Sequence, residues 1–183
     1  MNNEPAHEAV DQYLTDHHSE YFTIDEFNSE FCPQTGNDSR SVHSFSIDKY
    51  FSLIHINSRS LNKNFESIET LLNSLHHFAF SVIGISETWL HYVSPNMFSI
   101  QNYDMIRADR RTGRGGGVAL YIHNQLRYKL RPDLSINGVE SLFVEIINDK
   151  TKNIIIGIIY RPPNNEIDLF LDSIEIFFKY NYS

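Results

Sequence analysis

Three short apolar runs, each ending on a polar side chain, constrain the fold of this chain more than any other feature. The first run ends on Asn57, the second on Glu87 and the third on Tyr160. Runs of β-branched and aromatic residues predict buried strands. Open α/β sheets and barrels usually hold their ligands at the rim where strand ends meet. An amide, a carboxylate and a phenol collected at such a rim would suit phosphate and metal chemistry.

Between and around these runs the pattern alternates strand with helix from Tyr50 onward. A helix capped by Asn62 or Asn64 is predicted to follow the first strand, and a loop is predicted over 89–112. A further strand is predicted over Val118–His123, with Val118, Leu120 and Ile122 facing one way.

The last third of the chain predicts an antiparallel hairpin and a final helix. Residues 138–147 and 153–160 form the two arms of the hairpin, separated by a polar turn. Asn164 or Asn165 is expected to cap the helix, whose buried stripe is predicted to be Ile167, Phe170, Leu171, Ile174, Phe177 and Phe178. Helices interleaved with sheet strands indicate an α/β or α+β layered domain.

Charge and composition divide the 183 residues unequally. Residues 1–50 carry the whole acidic excess behind the net charge of −8, and the remaining residues are balanced. We predict a largely disordered acidic leader over 1–46 and the main domain over 47–183. The balanced charge of the main domain is compatible with a nucleic-acid partner. A lone cysteine, Cys32, and the lack of a secretory or membrane segment favour an intracellular protein, nuclear or cytoplasmic and not secreted.

Each strand-end side chain has a functional and an ordinary interpretation. Glu87 can bind Mg²⁺, which often takes only one or two protein carboxylates, or it can be a strand-end acid in a salt bridge. Asn57 can position a phosphate or simply form a turn. Tyr160 and Arg161 are aimed by the two prolines that follow them and can both donate to phosphate oxygens, or they can be a sheet-edge tyrosine and a solvated arginine.

Arginines are concentrated between residues 107 and 114. Arg107, Arg110, Arg111 and Arg114 lie in a glycine-containing segment that suits contacts to a nucleic-acid backbone, as does Arg161; a solvated loop is the alternative. The glycine run at 115–117 lacks the spacing of a phosphate loop and indicates backbone freedom at the entrance to a strand.

Five pieces of sequence in order carry a resemblance to a known family. They are Asn57–Leu61, Ile85–Leu90, Gly115–Ile122, Glu140–Glu145 and Ile159–Asn164. Together they resemble the endonuclease/exonuclease/phosphatase family, and within it the apurinic-type endonuclease domain of LINE-class non-LTR retrotransposons. The resemblance covers about residues 47–183 and corresponds to the N-terminal part of that domain.

The resemblance implies a four-layered αββα sandwich and a metal-dependent DNA endonuclease that nicks target DNA for reverse transcription. It implies that Glu87 binds Mg²⁺ or Mn²⁺, that Asn57 helps to position the catalytic centre, and that Tyr160 bonds the scissile phosphate. It also implies DNA as the partner and a reverse transcriptase domain in the full-length element.

The family's Gly-Asp-Phe-Asn and Ser-Asp-His segments do not occur in these residues. We therefore expect a C-terminally incomplete domain that is a truncated, inactive fragment, because loss of general-base assistance alone costs about 10²- to 10⁴-fold in rate. Two alternatives stay open: a non-catalytic module that binds phosphate or nucleic acid, and a phosphatase of the same superfamily.

Overall fold

The computed structural model describes residues 51–75, 80–91, 95–110, 113–149, 152–163 and 165–181. The predicted leader over 1–46 lies outside these residues. The regular elements, in chain order, are β1 (Leu53–Asn57), α1 (Leu61–Ser74), β2 (Val82–Ser86), β3 (Tyr103–Ala108), β4 (Val118–His123), β5 (Arg127–Leu130), β6 (Glu140–Ile147), β7 (Ile154–Tyr160) and α2 (Ile167–Asn181). Within the described residues, neither helix combines the length and the apolar character needed to cross a membrane.

The first sheet has the strand order β1-β2-β4-β3. β1 runs parallel to β2, while β4 is antiparallel to both β2 and β3. The register pairs Asn57 with Ser86, so β1 and β2 end side by side. The residue that follows each strand therefore leaves the sheet at the same rim.

The second sheet has the order β5-β6-β7 and is antiparallel throughout. The predicted hairpin is confirmed as the pair β6 and β7. Its register pairs Glu140 with Tyr160, which places the start of β6 next to the end of β7.

The two sheets pack face to face through a core of aliphatic side chains. The first sheet contributes Val82, Val118, Leu120 and Ile122, and the second contributes Val144, Ile146 and Ile158. Val118, Leu120 and Ile122 do share one face of β4, as predicted, because successive side chains of a strand point to opposite faces.

One helix covers each outer face. Phe65 of α1 packs edge-on against Phe98, with 5.3 Å between ring centroids, and the Phe98 carbonyl accepts a hydrogen bond of 2.7 Å from buried Tyr121 of β4. On the other side, Phe177 of α2 stacks on Phe143 of β6, with 5.1 Å between ring centroids. The predicted αββα layering of a mixed α/β fold is confirmed.

The prediction of a continuous loop over 89–112 was wrong. That segment contains a short 3-10 helix, Pro95–Phe98, and the strand β3. β5 was also not predicted. Charged residues interrupt the apolar pattern of both strands, as is common at sheet edges, and both strands do lie at edges.

The predicted start of α1 was also wrong. α1 begins at Leu61, with Ser60 at the cap position. The Asn64 side chain does not cap the helix but donates a 2.8 Å hydrogen bond to the Ser58 carbonyl. The orphan amide of Leu61 is satisfied instead by the Thr88 carbonyl, at 2.8 Å.

In α2 the helix begins at Ile167, two residues after Asn165. The predicted buried stripe is only partly correct. Phe177 is buried, whereas Ile167, Leu171 and Phe178 are exposed. Phe170, Ile174 and Phe177, spaced i, i+4 and i+7, are the less exposed members of the predicted stripe, so the side of α2 that faces the sheet is narrower than predicted.

Candidate functional site

The loops that follow β1 and β2 are bound to each other by backbone hydrogen bonds. Ser58 donates its amide to the Ser86 carbonyl at 2.9 Å, and Ser60 donates to the Glu87 carbonyl at 2.9 Å. The Ser58 hydroxyl adds a 2.8 Å bond to the same Glu87 carbonyl. These bonds fix the position of the Glu87 backbone relative to Asn57, the last residue of β1.

The three strand-end side chains predicted from the sequence lie in contact. One oxygen of the Glu87 carboxylate, Oε1, accepts a hydrogen bond of 3.1 Å from Asn57 Nδ2 and one of 3.0 Å from the Tyr160 hydroxyl. We call Asn57, Glu87 and Tyr160 the Glu87 cluster. No described residue donates a hydrogen bond to the second oxygen, Oε2.

Backbone strain is concentrated beside the Glu87 cluster. Glu87 and Trp89 have φ angles of 54° and 55°, and Arg59 and Ser60 have φ angles of 43° and 96°. Among the described residues these are four of the five non-glycine residues with positive φ. Such conformations cost on the order of 1–3 kcal/mol each and collect at functional sites. The positive-φ residues therefore flank Asn57 and Glu87 at this rim.

The environment of Tyr160 keeps its hydroxyl protonated. Burial, followed by the hydrogen bond to Glu87 and the charge of that carboxylate, raises the pKa of Tyr160 above its usual value. The phenol is therefore a hydrogen-bond donor throughout the neutral range. The Asn57 side chain is also a hydrogen-bond donor to Glu87, through Nδ2. Its orientation is fixed because Oδ1 accepts a 3.2 Å hydrogen bond from the backbone N–H of Arg59.

The Glu87 cluster has the donor chemistry of a site for a hard divalent cation, though it supplies few protein ligands. Within the described residues, no group of three or more His, Cys, Asp or Glu side chains is placed to hold a metal ion. Glu87 Oε2 is a single carboxylate oxygen with its orientation fixed through Oε1. Mg²⁺ is commonly bound through one or two carboxylates and completes its coordination with phosphate and water. One carboxylate of this kind could hold Mg²⁺ or Mn²⁺ only together with ligands from a phosphate and water.

The arginines predicted to contact nucleic acid have different partners within the protein. The Arg107 Nε lies 3.5 Å from the Asp109 carboxylate. Arg161 donates from Nη1 to the carbonyls of Pro162 and Asn165, at 3.3 and 2.8 Å, and so braces the turn after β7. Arg111 lies outside the described residues. The role of each as a nucleic-acid contact stays a prediction.

Arg110 is held in a network that sequence reasoning missed. Its guanidinium pairs with the Glu140 carboxylate, at 2.5 Å, and the other oxygen of Glu140 accepts the amide of Gly117. Arg110 Nη1 also donates to the Arg114 carbonyl at 3.0 Å. The one signal in the sequence was an acid, Glu140, at the start of a largely apolar strand that also contains Ser141 and Glu145. Because Glu140 pairs in register with Tyr160, this network supports the loop beside the Glu87 cluster.

The glycine run at 115–117 is required by close packing in that loop. Gly117 has a φ of +82°, and a Cβ built there would lie 2.5 Å from the hydroxyl of buried Thr88. The carbonyl of Gly116 accepts a hydrogen bond of 2.8 Å from the backbone N–H of Trp89. The run therefore closes the loop tightly around residues 88 and 89, directly after Glu87.

Comparisons with known proteins show a similarity of fold to solved structures. No protein-family model matches the chain, and no curated protein sequence matches it with significant similarity. Among solved structures, the fold is similar to the endonuclease domain of TRAS1, a telomere-specific non-LTR retrotransposon, with a TM-score of 0.50 and 14% sequence identity. The match covers 72% of this chain and 55% of the neighbour, so the chain spans about half of that neighbour's length. At this identity the likeness is a likeness of fold.

Proposed function

We propose that the Glu87 cluster is the phosphate- and metal-binding part of a DNA phosphodiesterase site of the retrotransposon-endonuclease kind. The observation that carries the proposal is the convergence of Asn57 and Tyr160 on Glu87 Oε1, which leaves Oε2 open at the rim. The similarity of fold to the TRAS1 endonuclease domain supports DNA as the substrate class. The ligand in this proposal is one phosphodiester of a DNA strand, together with Mg²⁺ or Mn²⁺.

Each residue of the cluster has a distinct task in this proposal. Glu87 binds the cation through Oε2, and the cation supplies positive charge that offsets the charge of the phosphoryl oxygens. Asn57 holds the carboxylate in its orientation. In the free protein Tyr160 donates its single hydroxyl proton to Glu87 Oε1; in this proposal the same proton is donated instead to a non-bridging oxygen of the bound phosphodiester, while Asn57 keeps its hydrogen bond to Oε1. Together these groups bind and orient the phosphodiester.

The same groups do not supply a general base. A protonated phenol and an amide cannot accept the proton of an attacking water, and Glu87 is occupied by the cation in this proposal. The Gly-Asp-Phe-Asn and Ser-Asp-His segments of the family do not occur in the 183 residues. We therefore propose that these residues by themselves bind DNA without measurable nicking. Mg²⁺-dependent plasmid nicking by this chain, abolished by Glu87→Ala, would overturn that part of the proposal.

A non-catalytic module would also bind DNA without turnover. Among possible ligands, one feature of the surface favours DNA over a lipid or inositol phosphate. Arg114 is exposed, and its guanidinium lies over the ring of Trp89, close in sequence to Glu87. A flat cationic and aromatic surface suits a nucleobase better than a small polyol. Competition of DNA binding by inositol phosphates at equal phosphate concentration would favour the phosphatase alternative.

The test is the affinity of the whole chain for a short dye-labelled DNA duplex, measured by fluorescence anisotropy in Mg²⁺ and in EDTA. We expect Mg²⁺ to tighten binding by the wild type by at least about tenfold, about 1.4 kcal/mol. Glu87→Gln retains an acceptor for Asn57 and Tyr160 but loses the negative charge. It should therefore bind in EDTA at least as tightly as the wild type and gain little from Mg²⁺.

The matched control is Glu175→Gln, which removes the same charge from an exposed position on α2. This variant should keep the full gain in affinity from Mg²⁺. The proposal fails if Glu87→Gln and Glu175→Gln show the same gain.

A further inference from the structure

Trp89 is the only tryptophan of the chain, and it is placed differently from its neighbours. Thr88 and Leu90 are buried, with 0% and 1% of their surface exposed, whereas Trp89 is only partly buried. Its backbone has a φ of 55°, and its amide N–H donates a hydrogen bond of 2.8 Å to the Gly116 carbonyl, which fixes the backbone of the turn at this residue. A tryptophan that served only the core would not need a strained backbone to keep part of its ring in solvent.

The ring of Trp89 is paired with a cation. The guanidinium carbon of Arg114 lies 5.9 Å from the ring centroid, within the range of a cation–π contact. The Arg114 carbonyl is bound by Arg110, which is itself paired with Glu140. The backbone that carries Arg114 is thus anchored, while its guanidinium remains exposed beside the ring.

The third component is the backbone of Gly115, which packs against the indole. A Cβ at this position would lie 3.3 Å from Trp89 Nε1, and the φ of +83° already disfavours a side chain. The same Cβ would also contact Trp89 Cε2 and Cδ1, so the glycine backbone lies against this part of the indole and the lack of a side chain lets the ring sit there without a clash. Trp89 and Arg114 therefore make a preorganised, partly exposed aromatic and cationic surface two residues from Glu87.

We propose that Trp89 and Arg114 form a stacking platform for an unpaired nucleobase next to the phosphate bound by the Glu87 cluster. The inference deepens the proposed function and rests on it. Bases stack on aromatic rings and on guanidinium planes with little dependence on sequence, because every base has a π-face. The preferred substrate is then DNA with a single-stranded or extruded nucleotide beside the bound phosphate.

The test uses the whole chain in Mg²⁺ and two dye-labelled oligonucleotides of about eight nucleotides, a usual size for single-stranded sites. One is oligothymidylate, and the other is an abasic strand with the same phosphates and no bases. We expect oligothymidylate to bind about tenfold more tightly by anisotropy. Unlabelled oligothymidylate should also quench the fluorescence of Trp89, whereas the unlabelled abasic strand should not.

Variants separate stacking from charge and from folding. Trp89→Phe retains an aromatic face and should keep a preference for the strand with bases, whereas Trp89→Leu should bind both strands alike. Arg114→Lys keeps the charge but loses the planar group, so it should reduce the preference and leave the salt dependence of binding unchanged.

Equal affinity of the wild type for both strands, with the Mg²⁺ gain intact, would overturn the platform and leave the proposed function standing. A preference for bases that persists in Trp89→Leu would likewise overturn it. Failure of both strands to bind in Mg²⁺ would overturn the proposed function as well.

Discussion

The adjacent pair Phe177 and Phe178 offers a sharp test of how α2 is attached to the second sheet. Phe177 is 7% exposed and stacks on Phe143, whereas Phe178 is 54% exposed. Full burial of an aromatic side chain removes roughly 200 Å² from water, which at about 25 cal/mol per Å² is worth about 5 kcal/mol. Scaled by the exposed fractions, burial contributes about 4.5 kcal/mol at Phe177 and about 2 kcal/mol at Phe178.

We therefore expect Phe177→Ala to lower the free energy of unfolding by at least about 2 kcal/mol more than Phe178→Ala, since truncation at Phe177 also leaves a cavity. The measurement is urea denaturation of both variants and the wild type, followed by far-UV circular dichroism, with the m-value as a check on two-state behaviour. Equal destabilisation by the two substitutions, or a larger loss from Phe178→Ala, would refute the placement of α2.

Two further predictions concern packing and pH. A Cβ at Gly157 would clash with the buried ring of Phe143, whereas a Cβ at Gly84 would meet nothing closer than 3.4 Å. Gly157→Ala should therefore lower the free energy of unfolding by about 1–3 kcal/mol, and Gly84→Ala by less than about 1 kcal/mol, in the same denaturation assay. Burial lowers the pKa of His123, which packs edge-on against Tyr103. The unfolded chain then binds the proton more readily, so stability falls as pH drops below about 6.5, the usual histidine value. His123→Phe should lose less stability than the wild type between neutral and mildly acidic pH; an identical loss would contradict this.

The sequence was most informative where an apolar run ends on a single functional group. The run before Glu87 has no polar interruption longer than one residue, so it predicted both a buried strand and the place where the carboxylate leaves it. The proximity of Asn57, Glu87 and Tyr160 follows from parallel and face-to-face packing of strands, and that arrangement was expected. What the sequence could not show is that both donors meet the same carboxylate oxygen, since that depends on side-chain positions.

Other features depend on how the two sheets face each other and on how α2 is rotated against its sheet. A local sequence pattern does not show either arrangement. The pairing of Arg110 with Glu140 joins residues 30 positions apart, one just after β3 of the first sheet and one at the start of β6 of the second, so it depends on how the two sheets face each other. Likewise, Phe177 and Phe178 are the same residue type at neighbouring positions, about 100° apart around the helix, and the rotation of α2 against the sheet decides which of them is buried. Roles assigned to the arginines of the 107–114 segment stay predictions for the same reason.

The central claim is that Glu87 presents one oxygen to a divalent cation while Asn57 and Tyr160 hold the other. Titration of Mn²⁺ into the whole chain with an oligonucleotide present, followed by electron paramagnetic resonance, measures this directly. We predict one bound Mn²⁺ per chain in the wild type and in Glu175→Gln, and none in Glu87→Gln at the same concentrations. Undiminished Mn²⁺ binding by Glu87→Gln would contradict the account.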